Sequence, residues 1–298
     1  MDQQDTTQHA MIAAEAGFAS IRFQWAPNAS TRTFHLYKTS GWHSNIHKQG
    51  DEISFSLYSG GGDLLVDPGY TDIEASVEAD HESPWRHNTI VSPNILWQHR
   101  KMGTPTGGGM TGYHIAPGLV AVRSELRRIP GVLVTRVLVF IQPGFLCILD
   151  HIKSDDPNPF EQRFTFAPGA DIIPMGQGSF DIERNDMQRM QWISQGPSFP
   201  NHSFFDNYLV QDKGFRSEGA KMLPTRGISF YAKGQAMRLH HLLAPASGRM
   251  QWDKGSFHAD VRDNGQITIR FIWNMVRIVH DFRLQPFGKD ESLIIRKI

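Results

Sequence analysis

Residues 132–152 read VLVTRVLVFIQPGFLCILDHI. Two runs of Val, Leu, Ile and Phe flank Gln142-Pro143-Gly144. β-Branched and aromatic residues suit a pleated, packed strand, and Pro-Gly suits a tight turn, so the stretch predicts a buried β-hairpin. Outward from it, short apolar or alternating runs recur: FASIRFQW (18–25), RTFHLYK (32–38), EISFSLYS (52–59), DLLVDPG (63–69) and NTIVSPN (88–94) on one side. RGISFYAKG (226–234), AMRLHHLLAP (236–245), GSFHADVRD (255–263) and QITIRFIWN (266–274) follow on the other. In EISFSLYS, Ile53, Phe55 and Leu57 alternate with polar residues, the period of a half-buried strand. Asn264-Gly265 between two such runs predicts a hairpin turn. Many short strands with almost no helix indicate an all-β fold, a large multi-stranded antiparallel β-sandwich.

Residues 3–16 are rich in Ala with Glu15, and Gly17 stands at the stop position, so a short N-terminal helix is expected there. The resulting division is 1–16 as helix or linker remnant and 17–298 as the sandwich domain. The stretch 101–118, KMGTPTGGGMTGYHIAPG, reads as a mobile surface loop, and 196–208, GPSFPNHSFFDNY, as irregular. There is no internal repeat and no block of like charge.

Composition narrows the function. Lys plus Arg number 30 and Asp plus Glu number 30, a balance that argues against a nucleic-acid partner or an acidic membrane held by bulk electrostatics. No apolar run approaches the roughly 18 residues of a spanning helix. The single cysteine, Cys147, excludes an internal disulfide framework and a multi-cysteine zinc site; in FLCIL it reads as an inert buried thiol. The 14 histidines invite a search for metal or proton-transfer chemistry.

The densest polar chemistry lies between residues 41 and 89. His47-x-Gln49-x-Asp51 leads into the strand EISFSLY, Asp67-Pro68-Gly69 ends the next strand, and Arg86-His87-Asn88-Thr89 opens another. If the strand already begins at 47, residues 47, 49 and 51 share a face, and a glycine turn returns Asp67 toward the start of that strand. Imidazole, amide and carboxylate then converge. Plainer readings stand beside this one. Asp67-Pro68-Gly69 suits a type II turn, Asp51 suits a turn cap, and His87-Asn88-Thr89 suits an ordinary strand start. His240-His241 in MRLHHLLAP places one imidazole on each face of a strand, which argues against one shared metal.

These elements resemble the β-sandwich half of the heparinase II/III-like polysaccharide lyases. The family pattern is a His two residues before a metal-ligand position, then an Asp two further on. An L-S-F-x-L strand, a glycine turn, L-x-D-P-G and H-N-T follow. Here these are His47, Gln49 and Asp51, then Ile53-Ser54-Phe55-Ser56-Leu57, Gly60 to Gly62, Leu65-Val66-Asp67-Pro68-Gly69 and His87-Asn88-Thr89. The opening strand GFASIRF and the run RVLVFIQPGFLCILDHI are similar too, so the resemblance covers about 17–245 and is specific in 45–90.

The resemblance implies cleavage of uronic-acid polysaccharide by β-elimination. The sugar carboxylate is neutralised, a base removes the proton on the neighbouring carbon, and an acid protonates the departing oxygen. It implies His47 as the acid/base or charge-neutralising group, and Gln49, Asp67 and His87 as ligands of a structural divalent metal. Gln49 stands where zinc-binding members carry His; an amide, a carboxylate and one imidazole form a harder set, which brings calcium into play beside zinc. Tyr70, Trp85 and Arg86 are candidate substrate contacts, since indole stacks on sugar rings and guanidinium pairs with uronate. Trp85 packed in the core and Arg86 solvated is the alternative.

The α/α toroid that carries the family's catalytic Tyr is absent from this chain, so a separate toroid domain or chain is an expected partner. A carbohydrate-binding or structural sandwich without catalysis is the competing reading. Family resemblance points to a bacterial periplasmic or extracellular location. The opening MDQQDTTQHA lacks a secretory signal, which points to the cytoplasm if the chain is complete.

Overall fold

The computed structural model describes residues 9–23, 33–38, 50–59, 62–68, 83–94, 108–176, 178–184, 189–195, 201–211, 221–245, 257–288, 291 and 293–297. Among these the chain is all-β, with one 3-10 turn at Pro84–Arg86.

Six strands form one antiparallel sheet. They are β1 (His9–Ala13), β2 (Phe18–Phe23), β3 (Thr33–Lys38), β4 (Phe55–Ser59), β5 (Gly62–Leu65) and β19 (Ile294–Lys297), in the order β19-β1-β2-β3-β4-β5. A larger sheet is built from β6 (Ile90–Val91), β7 (Gly109–Ala116), β8 (Leu119–Leu126), β9 (Val132–Ile141), β10 (Phe145–Thr165), β11 (Asp171–Gly176), β12 (Ser179–Glu183), β13 (Met190–Gln195), β14 (Asn201–Gln211) and β15 (Lys221–Pro245). Its order is β11-β12-β13-β15-β10-β9-β8-β7, with β14 on β15 and β6 on β10. The third sheet is β16 (Phe257–Val261), β17 (Gln266–Trp273) and β18 (Val276–Arg283).

The predicted hairpin sits at the centre: β9 and β10 pair from Phe145↔Ile141 to Ser154↔Val132. Its even-numbered residues Leu138, Phe140, Leu146 and Ile148 join a core that also holds Ile12, Ile21, Phe55 and Leu57 of the six-stranded sheet. Its odd-numbered Val137, Val139, Phe145, Cys147 and Leu149 pack on Ile267, Ile269 and Phe271 of the three-stranded sheet. The large sheet is thus the middle of three layers. That explains why residues 137–141 and 145–149 are apolar without a break instead of alternating: both faces leave water, at a gain of about 1.5–3 kcal/mol per large side chain. Burial pushes the Cys147 thiol well above its ordinary range, in keeping with an inert thiol.

The expected helix over 3–16 is not formed. Residues 9–13 are β1, paired antiparallel with both β2 and β19. Ala10 and Ile12 are fully buried while Met11 and Ala13 are not, a period of two. Sheet pairing on two sides outweighs the helix propensity of Ala and Glu. Gly17, at φ +64°, turns a hairpin, with its N–H donating to the Ala14 carbonyl, where a helix stop was expected.

Two expected loops contain strands. Residues 109–116 of the Gly-rich stretch are edge strand β7, and 201–208 lie in β14. Beyond the expected hairpin at Asn264-Gly265, β17 and β18 are joined through Asn274 and Met275, both at positive φ.

Candidate functional site

The six-stranded and middle sheets meet at a corner. There β4 and β5 pair antiparallel, and Leu65 bridges Phe166 just beyond β10. Val66 N–H donates to the Thr165 carbonyl at 3.0 Å, and Ala167 N–H to the Leu64 carbonyl at 3.0 Å. Asp67 emerges one residue later. On the other side Pro84–Arg86 forms the 3-10 turn, opened by Ser83, whose Oγ accepts from Trp85 N–H, and ended at His87.

These two segments bring the sequence-predicted pair together. His87 Nδ1 lies 2.9 Å from Asp67 Oδ2. The imidazole is 0% exposed while the carboxylate is 34% exposed, so a buried base meets an acid at the solvent edge.

Asn88 explains the placement. Its amide nitrogen donates to the Phe55 carbonyl at 2.7 Å and the Val66 carbonyl at 3.0 Å, and its Oδ1 accepts from Thr165 N–H at 2.7 Å. One buried side chain therefore ties β4, the end of β5 and β10 to the residue after His87. Asn88 N–H donates to Ser54 Oγ at 3.2 Å, and Thr89 Oγ1 donates to the Glu52 carbonyl at 2.7 Å. His-Asn-Thr is thus more than a strand start: His faces the site while Asn and Thr fasten it. Pattern reading marked the triplet but missed the fastening, which is visible only once three strands are in register.

The segment leading into β4 is a turn. Ser54 N–H donates to the Asp51 carbonyl at 3.0 Å, and the strand begins at Phe55, later than the alternation predicted. Asp51 is therefore not on a strand face. Ile53 sits at φ +57°, a conformation that costs a β-branched residue on the order of 1–3 kcal/mol and persists only where surroundings enforce it. Gly50 is required here: a Cβ would lie 2.6 Å from Pro84 N, so only glycine allows this close approach to the 84–86 turn. The chain at residue 50 thus packs beside the turn that carries His87. His47, Gln49 and Tyr70 lie outside the described residues.

Trp85 and Arg86 are both half-buried. The Trp85 ring lies 5.2 Å from the Arg163 guanidinium, and its carbonyl accepts from Arg163 Nε at 2.9 Å. Arg163 also stacks 3.7 Å from the Phe205 ring and donates to Glu161 at 3.0 Å. Burial lowers the pKa of Arg163, opposed by the Glu161 carboxylate. Arg86 Nη1 donates to Asn207 Oδ1 at 3.4 Å, and Asn207 returns a bond to the Arg86 carbonyl at 3.1 Å. So Trp85 is not a core residue, and Arg86 is not simply solvated. Both stand on the flank of the His87–Asp67 corner. Arg163 and Asn207, which hold them, carry no local sequence signal.

Among the described residues no group of three or more His, Cys, Asp and Glu is placed to hold a metal ion. Asp67 and His87 together offer one carboxylate oxygen and one imidazole nitrogen in contact. No described helix is long and apolar enough to cross a membrane.

A three-layer antiparallel sandwich with a histidine–carboxylate corner defines the class: the β-sandwich module of the heparinase-type proteins. The chain belongs to the heparinase II/III-like, C-terminal family, whose pattern matches residues 12–217. It is related through this module to polysaccharide lyases. A heparinase III structure superposes with a TM-score of 0.73 at 16% identity, over 92% of this chain and 42% of that one. A heparan sulfate lyase from Pedobacter heparinus gives 0.70 at 14%, over 91% and 42%. The chondroitin AC lyase of Streptomyces coelicolor gives 0.55 at 11%, over 88% and 36%. The chain thus spans about two-fifths of the length of the heparinases it matches. No curated protein matches the sequence.

Proposed function

We propose that this chain is the sandwich part of a lyase that cleaves uronic-acid polysaccharide by β-elimination, working with an α/α toroid domain or chain. The observation that carries the reading is the 2.9 Å contact of His87 with Asp67 at the sheet corner, between residues far apart in the sequence that the family pattern pairs as ligands.

In this reading His47 moves the proton or neutralises the sugar carboxylate. Gln49, Asp67 and His87 hold a divalent ion, calcium or zinc, which when bound stiffens the wall of the site. The donor set fits: a buried imidazole and a half-exposed carboxylate already in contact need little rearrangement, and the set of one nitrogen with oxygens suits a fairly hard cation. Trp85 and Arg86 line the flank and would meet the polymer by ring stacking and by pairing with its carboxylates, with Tyr70 as a further contact. The same reading places the protein in the bacterial periplasm or outside the cell, where such polymers are met.

The test is turnover of uronate polymers by the chain, alone and mixed with a separately expressed family toroid, followed by the ultraviolet absorbance of the unsaturated product. Product with the toroid present, lost in His47→Ala, is the expected result. No product from any uronate polymer with the toroid present overturns the lyase reading. Glycan binding that survives His47→Ala without turnover would instead mark a non-catalytic carbohydrate-binding module.

A further inference from the structure

We infer that Arg136 is a positioning residue of the His87–Asp67 corner, acting with Asp150 by pinning the segment that carries His87 to the 51–54 turn. The inference deepens the site reading above and rests on it for what the corner does.

Arg136 lies on β9, facing the core shared with the six-stranded sheet, and is 0% exposed. Its Nη1 donates to the Ile53 carbonyl at 2.9 Å and to the Asn88 carbonyl at 2.5 Å. The first acceptor belongs to the strained residue of the 51–54 turn. The second belongs to the residue after His87. A single guanidinium nitrogen therefore bridges the turn before β4 and the segment that carries His87.

The fork is fixed from behind. Nε and Nη2 donate to the two Asp150 oxygens at 2.8 and 2.6 Å, and the rings of Phe55 and Phe164 lie 5.6 and 5.8 Å from the guanidinium carbon. Asp150 also accepts from Gln162 Nε2 at 2.6 Å, and Gln162 Oε1 lies 2.5 Å from His241 Nε2. Trp192 Nε1, a donor only, points at His241 Nδ1 at 3.0 Å. His241 Nδ1 must therefore accept and Nε2 must donate, which sets the Gln162 amide and hence the Asp150 carboxylate. Donor direction is determined at every step from Trp192 to Arg136.

A buried ion pair adds little stability over an apolar pair of equal volume. What this one supplies is direction: two backbone carbonyls held by one planar donor.

The test uses Arg136→Met/Asp150→Leu, which removes both charges at similar volume. Ile269→Ala in the far core serves as a control for lost stability. On metal-free protein, the ring nitrogen shifts of His87, assigned with His87→Gln, are expected to report one tautomer with Nδ1 protonated in the parent and in Ile269→Ala. Averaging between tautomers is expected in the double variant. With added calcium or zinc chloride, the double variant is expected to bind on the order of tenfold more weakly, the control unchanged.

A parent that binds neither ion, with the His87 shifts still changed in the double variant, rejects the metal reading and supports the positioning role. Unchanged His87 shifts in the folded double variant overturn the inference. Should that variant fail to fold, Arg136→Lys keeps the charge but cannot span both carbonyls and Asp150. His87 shifts identical to the parent in Arg136→Lys then overturn it equally.

Discussion

Two carboxylates in this molecule sit close to nitrogen bases, and they do opposite things. Asp67 touches His87 directly at 2.9 Å and is 34% exposed, so a carboxylate at the solvent edge meets a buried imidazole. Asp150 is 0% exposed, its charge is matched by the bidentate Arg136, and the Gln162 amide stands between it and His241. Burial holds the His241 pKa well below its ordinary value. In the proposed function the first arrangement holds an ion, while the second holds shape. Histidine density therefore says little about chemistry. What matters is whether a carboxylate touches the ring directly or only through a neutral amide.

The contrast can be broken at its buried end first. Asp150→Ala leaves Arg136 charged and unpaired in the core, at an expected loss of about 3–5 kcal/mol. Urea unfolding at pH 7 measures it, and a loss under about 1 kcal/mol would show that the buried pair is not holding the fold as described.

Acid sharpens the comparison on the opposite face of the middle sheet. His151 and His240 meet with their Nε2 atoms 2.9 Å apart, rings nearly parallel. Burial lowers His151 to about 4, with Arg238 adding to it, and lowers His240 to about 3, with His151 and Arg238 adding. Because the folded values lie below the unfolded value of about 6.5, the unfolded chain takes up protons first as pH falls. The pair's contribution is then constant above about pH 7 and declines from about 6.5 toward 3, on the order of 3–5 kcal/mol for each ring. His240→Leu is expected to flatten that decline in urea titrations; an unchanged slope would place its origin elsewhere.

The smallest effect on stability is expected at the corner itself. Asp67→Asn removes a half-exposed charge and changes unfolding free energy by no more than about 1 kcal/mol. It nevertheless abolishes any rise in Tm on adding calcium or zinc. A Tm rise equal to that of the parent would remove Asp67 from the proposed ligands.

Much of the fold was legible along the chain. The hairpin at Pro143-Gly144 and the turn at Asn264-Gly265 follow from turn chemistry between strand-forming runs, and both are in place. The N-terminal segment misled because AMIAAEA satisfies a helix locally, while only its pairing with the distant Ile294–Lys297 reveals a strand. Strands β7 and β14 were hidden by Gly, Asn and Asp, residues poor in strand propensity that are accepted where a neighbour supplies the ladder. At the site, Asp67 and His87 were legible because the motifs around them are local. Asn88 as fastener, Arg163 as support for Trp85, and Arg136 were not.

What the amino-acid order determined alone is the strand content, the main turns and the identity of the polar residues at the sheet corner, because each depends on chemistry within a few neighbouring positions. What tertiary structure decided is the third layer, the strand in place of a helix, and which polar side chains hold the corner. Those depend on register between strands such as β9, β10 and β15, and a one-residue slip in any of them would turn Arg136, Asp150 or His241 to the other face.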